Sequence, residues 1–341
     1  MPYEGSGRPR GIFIYVIYVI ISWACYTLEL VLAEEVKTKQ RKGGRNKLSL
    51  MKSQLEAGEF TVTAEIGPLK GTDTSEIWEV VEILKGKVAA ANVTDQQSAV
   101  MRLGALATCH LALDAGLETV FQIVTRDRNR MALESDLLSA AVLGLENVLA
   151  ITGDLPSLGD HPQAKAVYDV DSVQLLEMIK ILNGGHDMVG NELQGTPSLF
   201  AGAVVNPGAD SEASFELQII KMAKKIEAGA EFFQTQAVFD ASLFEKFMKR
   251  VEKEGFKVPV LVGLIPLKNA GMAKYMNKNV SGIFVPQNII DQMAKTDDKV
   301  KTSIEITAKL MKDMKDMCQG AHLMTLGWDK YVPAILEASG L

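Results

Sequence analysis

An eight-stranded parallel β/α barrel, the TIM-barrel class, is the fold this sequence predicts, and three observations predict it. From Phe60 onward, strand-like runs alternate with amphipathic helical stretches. The runs number eight over about 290 residues, the count and length of a (β/α)8 barrel. The run Leu149-Ala150-Ile151 is also continuously apolar, as a parallel strand covered on both faces is, rather than alternating. A doubly wound open sheet is the alternative. It wants fewer strands and a G-x-G-x-x-G turn after the first, whereas the first run here ends in Glu65-Ile66-Gly67-Pro68.

Taken in order, the strand runs are 60–67, 89–94, 119–125, 147–153, 199–206, 232–239, 258–267 and 322–326. Helical periodicity predicts 75–85, 99–115, 130–143, 172–182, 215–228 and 243–253 between them. The stretch 271–317 holds one or more helices, and 330–338 closes the chain. Gly116, Gly144, Gly184, Gly229 and Gly255 stand where a left-handed helix cap is wanted.

Residues 1–50 read differently. Gly11 to Leu28 is an uncharged apolar stretch just long enough to span a bilayer. Lys37, Lys39, Arg41, Lys42, Arg45 and Lys47 follow it, and the positive-inside rule would keep that flank, and the barrel after it, in the cytoplasm. Three readings stand: translation from Met51 with upstream sequence read in frame, a membrane anchor, and a secretory signal cleaved after Ala33. In each, 1–50 is an extension outside the fold and 51–341 is the barrel domain, cytoplasmic in the first two.

Composition excludes several function classes. The chain is 341 residues long with a net charge of −6, which offers no basic face to nucleic acid. Cys25, Cys109 and Cys318 lie far apart, and the four histidines are scattered, so neither a disulfide framework nor a metal-ligand cluster follows. Metal-free chemistry is the expectation.

In such a barrel the active site is assembled at the C-terminal ends of the strands. Leu149-Ala150-Ile151-Thr152-Gly153-Asp154-Leu155-Pro156 is the clearest of these ends. A buried strand runs into a glycine that permits close approach, then a carboxylate at the solvent boundary, then a proline that stops the strand. The other ends deliver Glu65, Asn92, Thr94, Asp95, Gln122, Arg126, Asp127, Arg128, Asn129, Asn206, Gln234, Gln236 and Thr325. So many polar groups around one mouth suggest a ligand, since burying them unpartnered is costly. Glu65 and Asp154 are expected to face one cavity, one as a neutral acid and the other as an anion. A salt bridge from Glu65 to Lys70 or Arg126 is the structural alternative.

Several blocks resemble methylenetetrahydrofolate reductases: T-A-E-I-G-P, N-V-T-D, Q-I-V-T-R-D-R-N, I-T-G-D-L-P, I-E-A-G-A-E-F-F-Q-T-Q-A-V-F-D, V-G-L-I-P-L and M-T-L-G, in order from about Phe60 to Leu326. The resemblance implies a flavin-bearing barrel that reduces 5,10-methylenetetrahydrofolate to 5-methyltetrahydrofolate in one-carbon metabolism. By motif, Glu65 matches the general acid that opens the imidazolidine ring to an iminium. Asp154 matches the carboxylate that stabilises that cation beside flavin and pterin, and Gln236 matches the pterin contact. Thr94, Gln122, Gly153, Asp154 and Lys225 fall at flavin contacts.

The chain departs from the family at three places. Ile66-Gly67 replaces aromatic residues after the glutamate, Thr152 replaces an arginine before Gly153-Asp154, and Gln122 replaces a histidine. These features resemble the branch of carbon-fixing anaerobes. The resemblance accordingly implies FAD first and FMN as the shorter form. It also implies NAD(P)H or a cysteine-rich electron-transfer subunit as donor, and a homo- or hetero-oligomer. A flavin-free pterin methyltransferase and a non-catalytic barrel subunit are the competing readings.

Overall fold

Eight short strands close on themselves. In a computed structural model that describes residues 49–209 and 211–341, the strands are β1 (Thr61–Ile66), β2 (Ala90–Val93), β3 (Thr119–Val124), β4 (Asn147–Ile151), β5 (Phe200–Val205), β6 (Phe232–Ala237), β7 (Val260–Leu264) and β8 (Gly320–Leu323). All pair in parallel in chain order, and β8 closes against β1, with Thr61 opposite Gly320. The predicted barrel is the observed fold. The apolar stretch 11–28 and its basic flank lie outside the described residues. Among the described residues, no helix is long and apolar enough to cross a membrane.

Helices α1 (Leu50–Glu56), α2 (Ser75–Leu84), α3 (Ala105–Asp114), α4 (Arg130–Val142), α5 (Ser172–Asn183) and α6 (Glu212–Glu227) run through the first half and middle of the chain. They are followed by α7 (Ala241–Lys253), α8 (Ala270–Asn279), α9 (Gln287–Lys295), α10 (Lys299–Met314) and α11 (Val332–Ser339). Most begin on a side chain that accepts a backbone N–H: Asn129, Asp171, Ser211, Asp240, Asn269 and Asp298. Such caps satisfy donors the first turn leaves orphaned, and so fix where each strand-to-helix loop ends.

The period of two along each strand separates two cores. Ala64, Val93, Phe121, Ala150, Ala203, Phe233 and Val262 pack outward against the helices. Ala90, Val120, Leu149, Phe200, Phe232 and Leu261 pack together with Met51 and Leu55 of α1. Helix α1 therefore plugs the end of the barrel where the strands begin. Continuing the inward alternation brings Glu65, Gln122 and Gln236 to the opposite mouth, which is why the site assembles there.

Ser49 anchors the plug. Its hydroxyl accepts from Lys52 N at 2.9 Å and donates to Asn147 Oδ1 at 2.8 Å. The Glu118 carboxylate accepts from Leu50 N at 2.6 Å and Met51 N at 3.1 Å. A division of the chain between residues 50 and 51 thus falls inside the plug. Ser49→Ala removes a helix cap and a buried hydrogen bond together, and should lower stability by about 1–2 kcal/mol. A urea midpoint equal to that of the unsubstituted protein would show that the cap does not hold α1.

Several boundaries shift by a few residues, and three departures from the sequence expectation have a local cause. Strand β8 starts two residues before His322, because Gly320 is needed where Thr61 O lies 2.1 Å from the position of a Cβ. A glycine and an alanine carry no strand signal of their own. Helix α3 starts at Ala105 rather than Ala99, since Gln96, Ser98 and Ala99 take left-handed φ values of 50°, 57° and 56°. Gly184 has φ −82°, and the left-handed residue there is Gly185, at φ 82°. The stretch 271–317 resolves into most of α8 together with α9 and α10.

Candidate active site

Two adjoining cavities open at the C-terminal ends of the strands. The larger, about 580 Å³, is bordered by Gln122, by Gly153 and Asp154 after β4, by the first turn of α5, and by Lys221, Lys224 and Lys225 of α6. The smaller, about 430 Å³, lies at the ends of β1 and β8 and is bordered by Glu65, Arg102, Thr325 and Asp329. Gln97 borders both. The expectation that Glu65 and Asp154 face one cavity is corrected here. Each borders its own, and the two cavities meet at Gln97.

The turn after β4 is built around Gly153. Its φ of 88° suits glycine, and a Cβ there would meet Val124 Cβ at 3.2 Å and Arg126 Cβ at 3.3 Å. The next residue, Asp154, is held by its backbone: its carbonyl accepts from Arg126 Nη1 at 3.1 Å and from Tyr168 Oη at 3.4 Å. Its carboxylate is exposed. Arg126 is itself buried and bonded to Asp127 at 2.8 and 2.6 Å. That hydrogen-bonded carboxylate raises the Arg126 pKa above its ordinary value, so the cation that fixes Asp154 stays charged. Gly153→Ala imposes left-handed strain worth about 1–2 kcal/mol and crowds Val124 and Arg126. Thermal unfolding should fall, and affinity for the ligand of the larger cavity should fall more. A variant with native affinity would show that the tight turn does not shape the cavity.

Lys225 lies buried against β5, its Nζ donating to Val204 O at 2.7 Å. Burial pulls its pKa down to about 8; Lys221 pushes the same way and Asp171 opposes. Lys221 and Lys224 are exposed on the same helix. Spaced three and four residues from Lys221, the lysines share one face. With the N-terminus of α5 facing them across the cavity, they make a wall suited to an anion.

Glu65 is buried at the end of β1. Neither expected cation pairs with it: Lys70 bonds Asp160, and Arg126 bonds Asp127. The basic group nearest its carboxylate among the ion pairs is His322 of β8, with Nε2 3.8 Å from Glu65 Oε1. Behind that pair, Thr63, Asn92, Gln234 and His322 form a buried hydrogen-bonded chain. Gln234 and Asn92 thus belong to the barrel interior and not to the rim.

The remaining strand ends divide by partner. Thr94 is buried at the end of β2, and its hydroxyl has no hydrogen-bond partner. Asp95 accepts from Val124 N at 3.0 Å and Arg128 Nη1 at 2.7 Å, which fixes the loop after β3. Asn129 caps α4, Asn206 accepts from Gly208 N at 2.9 Å, and Thr325 donates to Asp329 at 2.6 Å. Gln236 is half-buried at the end of β6, borders neither cavity, and accepts from Ala237 N at 3.1 Å. Asp160 ties three loops together, accepting from Lys70, from Met101 N at 3.0 Å, and pairing with His161 at 2.8 Å.

Sequence reasoning missed Lys221, Lys224, Gln97 and His322. The K-x-x-K-K spacing on α6 was the available signal for the first two. A lone histidine on a short strand carried none.

A barrel with a lysine-walled cleft beside a cavity that holds a buried acid belongs to the enzyme class of this fold, in which loops at the strand ends carry the chemistry. Residues 50–340 match the methylenetetrahydrofolate reductase family, and the chain belongs to that family. Methylenetetrahydrofolate reductase 2 of Schizosaccharomyces pombe is 25% identical over 62% of this chain and 34% of its own length. A probable NADPH-dependent member from Caenorhabditis elegans is 26% identical over 66% of this chain and 33% of its own. The 5,10-methylenetetrahydrofolate reductase of Pectobacterium carotovorum is 25% identical over 66% of this chain and 71% of its own. The chain thus spans about a third of the length of the fission-yeast and nematode relatives. The fold is shared with an uncharacterised Clostridium thermocellum protein that binds two copies of 5-methyl-5,6,7,8-tetrahydrofolic acid. That structure has a TM-score of 0.57 and 18% identity over 85% of this chain and 96% of the other.

Proposed function

We propose that this barrel is a flavin-dependent reductase that converts 5,10-methylenetetrahydrofolate to 5-methyltetrahydrofolate in the cytoplasm. The observation that carries the reading is the adjacency of an anion-binding cleft, walled by Lys221, Lys224 and Lys225, to a cavity presenting the buried acid Glu65. Family membership and the folate-binding structural neighbour support it.

The larger cleft fits a flavin. The lysine row and the first turn of α5 suit its phosphate, Gly153 keeps the turn tight against Val124 and Arg126, and Thr94, whose buried hydroxyl is unpaired, directly precedes Asp95 and Gln96 of the cleft wall. Gln122 would line the ring system. When bound, the flavin supplies the two-electron reduction; the protein supplies orientation and electrostatics. We propose FAD, with NAD(P)H as donor, the latter after the nematode relative named for NADPH.

On the folate side, Glu65 would give its proton to the imidazolidine nitrogen, whose bond to the methylene carbon then breaks. Asp154 would stabilise the resulting iminium cation, and Gln236 would orient the pterin once its amide turns from Ala237 N into the mouth. An anion beside a developing cation, both fixed before reaction, is effective electrostatic catalysis. The barrel domain proposed is 51–341, with Ser49 and Leu50 completing its plug. The free, buried Cys109 and Cys318 suit a reducing compartment.

Lys225 gives the cofactor site a pH dependence. Its folded pKa of about 8 lies below the ordinary 10.5, so in the free protein its charge is lost as pH rises through 8. A phosphate beside it restores the charged form. Flavin affinity should therefore be highest below pH 8 and weaken above it. In Lys225→Met the dependence should vanish and the affinity should be low throughout. Fluorescence titration at several pH values checks this, and an unchanged slope in the variant would remove Lys225 from the phosphate site.

The decisive test is simple. Purified protein should be yellow, release FAD on denaturation, and reduce methylenetetrahydrofolate with NADH or NADPH. Activity restored solely by reduced ferredoxin or a cysteine-rich subunit would reassign the donor. A colourless protein that passes a methyl group to a corrinoid protein would replace the reading with a methyltransferase.

A further inference from the structure

We infer that His322 is a positioning residue for Glu65, held in one tautomer by a buried chain of hydrogen bonds across the barrel interior; the inference rests on the reductase reading above. The chain begins with two amides. Asn92 Nδ2 donates to Gln234 Oε1 at 2.7 Å, and Gln234 Nε2 donates back to Asn92 Oδ1 at 3.0 Å. The second N–H on Gln234 Nε2 donates to Thr63 Oγ1 at 3.2 Å. The Thr63 hydroxyl accepts that bond, and Nδ1 of His322, 2.9 Å away, is the one partner left to accept its own proton among the hydrogen bonds it makes. With Nδ1 an acceptor, the ring proton of neutral His322 sits on Nε2. That nitrogen is the one 3.8 Å from Glu65 Oε1.

Burial makes the arrangement hard to escape. Thr63 and Asn92 are fully buried, and Gln234 and His322 are nearly so. Turning any one of them alone would leave a donor or acceptor unpaired in the interior, which costs about 1–3 kcal/mol. Only Asn92 and Gln234 turned together reverse the chain and move the ring proton to Nδ1, the outcome the tautomer measurement below reads. The four residues come from β1, β2, β6 and β8, so the barrel itself sets the histidine.

A donor at that place has a clear use. When Glu65 gives its proton to the imidazolidine nitrogen, the carbon–nitrogen bond breaks and the electron pair goes to that nitrogen. Glu65 is left as a buried carboxylate, which is unfavourable without a donor. The Nε2–H of His322 supplies one, and His322 keeps its own proton throughout. At 3.8 Å the contact is longer than a hydrogen bond, and a movement of roughly 1 Å closes it.

The experiment combines a structural and a kinetic readout on the flavin-loaded protein. Nitrogen-15 correlation spectroscopy of the imidazoles should show His322 as the Nε2–H tautomer, with the preference lost in Thr63→Val. His322→Leu should lower turnover by up to about a hundredfold with KM little changed, the scale of a misplaced catalytic group. His322→Gln keeps an N–H near the place of Nε2 and should recover most of the rate. In a Glu65→Gln background, His322→Leu should cost nothing further. Flavin content and melting temperature report whether each variant folds. An Nδ1–H tautomer in the unsubstituted protein overturns the inference, as does an equal rate loss in both backgrounds. If the unsubstituted protein does not reduce methylenetetrahydrofolate at all, the reductase reading fails instead, and the tautomer still decides the hydrogen-bond chain.

Discussion

Glu65→Gln should lower folate reduction by roughly 10²–10⁴-fold, the loss typical of a missing general acid, while leaving flavin binding and flavin reduction by the donor intact. The separation follows from the two cavities. Glu65 borders the smaller one, and the lysine wall borders the larger, so the amide changes the folate side alone. Glutamine keeps the shape and removes the proton that the imidazolidine nitrogen needs. Neither Lys70 nor Arg126 pairs with Glu65, so the substitution strands no cation and the fold should be preserved. Stopped-flow measurement of the two half-reactions checks the split. Near-normal folate reduction would take the acid's role from Glu65.

Asp154→Asn acts on two charges of opposite sign. Its carboxylate is exposed at the edge of the larger cavity, while its carbonyl is pinned by Arg126 and Tyr168. The substitution should therefore remove charge without moving the backbone. Folate reduction should slow by about 10²-fold, the lower end of the range for a preorganised electrostatic contact because the carboxylate is solvent-screened. The potential of the bound flavin should rise, since gaining electrons no longer opposes a neighbouring negative charge. For a two-electron couple about 30 mV corresponds to 1.4 kcal/mol, so a rise on the order of tens of millivolts is expected. Spectroelectrochemical titration of both proteins measures it. An unchanged or lower potential would place Asp154 away from the flavin.

The barrel was legible because eight buried parallel strands leave a signature that survives in composition: apolar runs, glycine or proline stops, and polar residues just beyond. Gly153 was legible for the same reason, since a glycine between a buried strand and a carboxylate marks a tight turn. The start of β8 carries no sequence signal because Gly320 and Ala321 are small; what commits them to the sheet is the closeness of Thr61 O, a tertiary fact. The division of the mouth into two cavities was hidden more deeply. Gln96, Ser98 and Ala99 take left-handed backbone conformations that their residue types do not favour, and only the packed loops impose them. The lysine row on α6 reads as an ordinary solvated face until the helix is set against the cleft. His322 gives no local signal, because its significance lies in partners on three other strands.

The most direct test of the reductase reading is a single turnover without any donor present. The flavin-loaded protein, reduced chemically and mixed anaerobically with 5,10-methylenetetrahydrofolate, should recover its oxidised absorbance as one equivalent of 5-methyltetrahydrofolate forms. A reduced protein that stays reduced in the presence of saturating substrate would contradict it.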